Sequence, residues 1–77
     1  MNLARAASVS VREAMKSLVP ESGAALTPQL TYRIKRDTLR RLKAMGYELE
    51  SHKIKLEFIA GQPNLIIPPH LLNPVLH

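Results

Sequence analysis

Between Arg33 and Lys43 the chain carries six basic residues (Arg33, Lys35, Arg36, Arg40, Arg41 and Lys43) and one acid, Asp37. The resulting +5 equals the formal charge of the whole 77-residue protein, because the remaining five basic and five acidic residues cancel. Charge gathered into one short block suits a polyanionic partner, and nucleic acid is the commonest. Four of the six cations are arginines, whose planar fork fits phosphate and guanine better than a lysine ammonium does.

Other chemistry finds less support. His52 can be drawn with Glu48, Glu50 or Glu57 as an acid–base pair, but such pairs arise by chance in a basic domain. There is no Gly-rich phosphate loop, no nucleophile motif and no pair of carboxylates on a helix face. The chain is therefore read as a non-enzyme without a cofactor. His52, His70 and His77 lack the helical or hairpin pairing that a metal site needs, and with no cysteine there is no thiolate ligand and no disulfide.

Seventy-seven residues make one small domain with a marginal core, burying about 60% of its unfolded surface. Association with a second copy or a protein partner is expected to complete it. The 45% apolar content is that of a folded chain. No apolar run approaches the roughly 18 residues of a membrane span. Residues 1–19 have the basic, Ser-containing, acid-poor composition of an organelle transit peptide. The plainer reading is a flexible start over residues 1–9 and then a helix. An organelle location stays open beside a cytoplasmic or nucleoid-associated one.

The elements that must position the basic block follow from periodicity. Ser10–Glu13 reads as a capping box, and Val11, Ala14, Met15, Leu18 and Val19 form one apolar helix face. Pro20 ends that helix, and Glu21-Ser22-Gly23 makes a loop. Thr27-Pro28 starts a second helix and Gly46 ends it. Leu30, Ile34, Leu42 and Met45 share its apolar stripe, with Thr38 inside the stripe. One continuous helix is favoured; two helices broken near Lys35–Asp37 also fit. Beyond Gly46 the period becomes 2. Tyr47–Leu49, residues 53–60 and residues 65–67 read as three strands of an antiparallel meander, with a turn at Gly61–Asn64. The prolines of residues 68–77 argue against a regular helix, leaving an extended apolar tail. The expected architecture is α+β: two helices followed by a small antiparallel β-meander over residues 10–67.

At 100° per residue Arg33, Arg36, Arg40 and Lys43 fall within about 80° of one another, opposite the apolar stripe, and span roughly 15 Å. Lys35 and Arg41 flank the stripe. Arg36 and Arg40 are expected to have no acid one turn away, which leaves their charge open to a partner. The run from Arg36 to Glu50, Arg-Asp-Thr-Leu-Arg-Arg-Leu-Lys-Ala-Met-Gly-Tyr-Glu-Leu-Glu, resembles the recognition helix and wing of winged helix-turn-helix proteins. That resemblance implies that residues Leu26–Tyr32 form the preceding helix. It implies that Arg36, Thr38, Arg40, Arg41 and Lys43 face DNA and that Lys53 and Lys55 on the wing touch the backbone. Arg33 joins them from the basic face. The expected function is a small DNA-binding regulator, with DNA favoured over RNA. The alternative is a protein-interaction module, or a subunit of a larger, even ribonucleoprotein, assembly. It would dock through Leu71, Leu72, Val75 and Leu76.

Overall fold

The computed structural model describes residues 2–19 and 27–72. Asn2 opens helix α1, Leu3–Leu18: its side-chain oxygen accepts from the Arg5 amide at 2.8 Å, satisfying one of the first-turn donors. Leu3, Ala6, Ala7, Ser10, Val11 and Ala14 recur at helical spacing and are all buried. The helix thus begins well before Ser10: residues 3–9, expected to be flexible, are helical, and Leu3, Ala6 and Ala7 among them belong to the core. Ser10 is a buried mid-helix residue rather than a cap. Its hydroxyl packs against Met45 Sδ at 3.9 Å.

Helix α2, Pro28–Ala44, starts as its sequence requires, with Thr27 Oγ1 accepting from the Leu30 amide at 3.1 Å and proline in the first turn. Ile34, Thr38 and Leu42, spaced by four, are buried along its length. The helix closes in a Schellman motif. The Gly46 amide donates to the Lys43 carbonyl at 3.0 Å and the Tyr47 amide to the Leu42 carbonyl at 2.9 Å, while Gly46 takes φ +96°. α2 runs unbroken through Lys35–Asp37. Pro28–Tyr32 and Arg36–Lys43 therefore share one helix, and the inter-helix turn implied by the winged-helix resemblance is not at that place.

The sheet is smaller than the expected meander. Residues 47–50 form no strand, and Ser51–Lys53 make a 3₁₀ turn. Only β1, Lys55–Ile59, and β2, Gln62–Ile66, pair, antiparallel, with Phe58 opposite Pro63. The turn is Ala60-Gly61, not Gly61–Asn64. Both residues have positive φ, 52° and 78°, the signature of a type I′ hairpin whose twist matches its strands. Ile59 and Gln62 close this two-residue loop as the hydrogen-bonded pair. By alternation the Phe58–Pro63 pair is non-bonded, and the Pro63 nitrogen faces the outer edge. Proline is therefore tolerated inside β2. It is tolerated again in α3, Pro69–Leu72, a single turn that begins with Pro69, where no amide donor is needed. This turn replaces the extended start of the tail.

The two helices cover one face of the hairpin. One part of the core joins Leu3, Ala6 and Ala7 to Leu42, Ile54 and Ile67; another joins Val11 and Ala14 to Ile34, with Leu56 and Phe58 of β1 against it. The helices are antiparallel, since the start of α1 meets the end of α2. Leu71 packs on the first cluster, so this part of the tail folds back on its own domain. The Leu72 side chain, Val75, Leu76 and the loop expected at residues 21–23 lie outside the described residues. Among the described residues no helix is long and apolar enough to cross a membrane.

Burial of one leucine side chain contributes about 1.5–3 kcal/mol, against a total stability of about 5 kcal/mol for a domain this small. Deleting residues 2–9, which removes Leu3, Ala6 and Ala7, is accordingly expected to abolish the cooperative thermal transition followed by far-ultraviolet circular dichroism. A flexible N-terminus would leave the transition unchanged.

Candidate nucleic-acid interface

Because Ile34, Thr38 and Leu42 are turned into the core, residues half a turn away must face solvent. Arg33, Arg36, Arg40 and Lys43 are all exposed. They open onto one groove of about 890 Å³ along α2, whose apolar wall includes Leu39 and Leu49. The basic row expected from the helical projection is thus assembled on one surface.

Three expected contacts are placed elsewhere. Thr38 is fully buried, and its hydroxyl donates to the Ile34 carbonyl at 2.7 Å, so it cannot reach a ligand. Its γ-oxygen is short enough to find a partner within its own helix, which lets it occupy a core position. Arg41 is half-buried, its Nε donating to Asp37 Oδ2 at 2.7 Å. Lys53 belongs to the 3₁₀ turn rather than to a strand, and its ammonium lies 2.9 Å from Glu50 Oε2. The hydrogen bond and charge of Lys53, with the charge of His52 at 3.6 Å, hold the Glu50 carboxyl below the usual range. Lys55 is exposed on β1 and lines a shallow recess with Tyr32 and Lys35.

Acids divide the basic block into two halves. Asp37 pairs with Arg41 and also with Arg40, one turn along at i+3, so the expectation that Arg40 has no acid nearby does not hold. Lys43 Nζ lies 4.0 Å from Glu48 Oε1. Among the described residues, Arg33, Lys35, Arg36 and Lys55 have no ion-pair partner. Three of these four, Arg33, Lys35 and Arg36, lie in the first half of α2. Arg41 and Lys43 also lie in the last turn, where cations complement the helix dipole; that structural role suffices to explain them.

Tyr32 is a surface residue that the charge pattern does not single out. It is 58% exposed and borders both the groove with Arg33 and Arg36 and the recess with Lys35 and Lys55. The signal was present: two residues before Ile34, it projects about 160° away from the buried stripe.

The chain matches no protein-family model, no curated protein and no solved structure.

Partial burial pushes the Asp37 carboxyl up, but hydrogen bonds from Arg41 and Arg40, reinforced by their charges, outweigh it and hold the group below its ordinary value of 3.8. A carboxylate with a depressed folded pKa stabilises the fold above its unfolded pKa, and that contribution disappears as pH falls through the folded value. Asp37 is 12% exposed but Arg40 is 75% exposed, so solvent screens much of the interaction. Asp37→Asn is expected to cost about 0.5–1 kcal/mol near neutral pH. The difference from the native chain should close as pH falls below 3.8. Urea-unfolding midpoints of the two proteins across the acid range measure both effects.

Proposed function

We propose that this chain is a small basic nucleic-acid-binding protein that grips phosphates through α2. The observation that carries the reading is that Arg33, Arg36, Arg40 and Lys43 open onto one groove, while Arg33, Lys35 and Arg36 have no carboxylate partner among the described residues. Like charges three and four residues apart each destabilise a helix by about 0.2–0.5 kcal/mol, and phosphates seated along the row would relieve that repulsion. The proposed setting is a small DNA-binding regulator, in which the hairpin holds Lys55 beside α2 as a wing would.

The burial of Thr38 and the tethering of Arg41 bear on mechanism. Two side chains that a recognition helix would offer to base edges are engaged within the protein. The remaining cations are suited to the backbone, whose contacts position a protein without reading sequence. Binding of this kind is salt-sensitive through counterion release and only weakly sequence-dependent.

With about four to six phosphates neutralised, log K on duplex DNA should fall with log salt at a slope of roughly −4 to −5. Arg36→Gln is expected to flatten that slope by about one and to weaken binding alike across unrelated sequences. Asp37→Asn, which releases Arg40 and Arg41, should tighten binding. Fluorescence anisotropy across a salt series gives all three. A flat salt response, or no binding at low ionic strength, removes the reading.

A further inference from the structure

We propose that Tyr32 is a base-stacking residue and that the preferred ligand is a strand with unpaired bases rather than closed duplex; this rests on the phosphate-binding reading of α2. A single exposed aromatic is common on protein surfaces and by itself indicates nothing. What distinguishes Tyr32 is its surroundings. Arg33 and Arg36 share the groove on one side of it, and Lys35 and Lys55 share the recess on the other. None of these four cations has an ion-pair partner among the described residues. Glu57 also lines the recess, without an ion pair among the described residues; Asp37 and Glu48 line the groove, Asp37 engaged with Arg40 and Arg41 and Glu48 beside Lys43.

A strand crossing α2 over Tyr32 has cations for the phosphates on both sides of the nucleotide at the ring. Its base, if unpaired, can lie on the phenol face, which would otherwise remain in water. Sites for single strands combine these two elements, a basic track and an aromatic face, and tolerate any sequence because every base has a π-face. A duplex cannot use the ring, since its base faces are already covered by their neighbours, and it gains only the phosphate contacts. Among the described residues Tyr32 is the most exposed of the large apolar side chains, and it sits where the unpaired cations are densest. This ties the aromatic to the same ligand as the charge.

The test measures binding of the native chain, Tyr32→Phe and Tyr32→Ala to four probes at one low salt concentration: a short DNA strand, the RNA strand of the same sequence, the matching DNA duplex, and heparin. Heparin supplies anionic charge without bases. Native binding should favour the single strands over the duplex. Tyr32→Phe, which keeps the ring, should stay within about 2-fold of native on every probe. Tyr32→Ala should lose roughly 5- to 150-fold on single strands and change little on duplex and heparin. A loss confined to the DNA or to the RNA strand supports stacking and names the strand. Equal losses by Tyr32→Ala on single strand, duplex and heparin overturn the proposal, because the tyrosine would then support the fold or the charge. Undiminished single-strand binding by Tyr32→Ala overturns it as well. If the native chain binds duplex and heparin but Tyr32→Ala behaves as native throughout, only the stacking falls. If the native chain binds none of the four probes, the basic-face reading fails and takes the stacking with it.

Discussion

The seam between α1 and α2 decides everything else about this molecule. Ala6, Ser10 and Ala14 on α1 and Ile34, Thr38 and Leu42 on α2 are all at 0% exposure. Small residues on one helix allow its axis to come close to the other, so larger side chains of α2 can reach past it and meet the hairpin. The rotation of α2 about its own axis is set by this contact. Once Ile34, Thr38 and Leu42 face inward, Arg33, Arg36, Arg40 and Lys43 have no alternative to solvent. The basic surface is therefore a geometric consequence of apolar packing on the opposite side. The seam admits two hydroxyls because each has a local answer: Thr38 donates to its own helix, and Ser10 lies against the Met45 sulfur. No buried side-chain polar atom among the described residues is left without a partner.

Legibility followed signal strength at each element. Helix α2 could be read almost to its ends, because Thr27-Pro28 and Gly46 are strong local signals at either side of a regular apolar stripe. Its outward row could be read for the same reason. The start of α1 was obscured. Its buried positions from Leu3 to Ala7 are mostily alanine, which marks a stripe weakly, and a well-formed Ser10–Glu13 pattern suggested a later start. The hairpin turn was misplaced by conventional turn residues. Gln62-Pro63-Asn64 looks like a loop, yet the chain reverses at Ala60-Gly61, and alanine rarely accepts positive φ. Thr38 shows the limit of helical projection alone. Its place in the apolar stripe indicated burial, whereas its place in the Arg-Asp-Thr-Leu-Arg-Arg run suggested a contact to DNA, and packing settled the matter. Tyr32 was visible as an aromatic on a polar face, but the recess that gives it a second set of neighbours depends on where β1 lies, which one helix cannot reveal.

Asp37 gives the basic surface an internal gradient. It is the single acid within the block, it is well covered, and it holds two arginines at once. A carboxylate so placed reduces repulsion where the helix ends and leaves it high where the helix begins. The two halves of α2 therefore differ in electrostatic character although their compositions are similar. The first half has cations without an ion-pair partner among the described residues; the second half has cations engaged with carboxylates. The field over α2 is therefore asymmetric along the helix axis.

Pro63 has a bearing on how the protein behaves when crowded. A two-stranded ribbon has two exposed rims, and each is a template for further strands from neighbouring molecules. Where β2 would offer a backbone donor outward, the proline ring stands instead, with no hydrogen to give. A polyanion would collect many copies of a cationic chain side by side, raising their local concentration well above that in free solution. Under such conditions the ring is a small barrier to sheet growth from chain to chain across that rim.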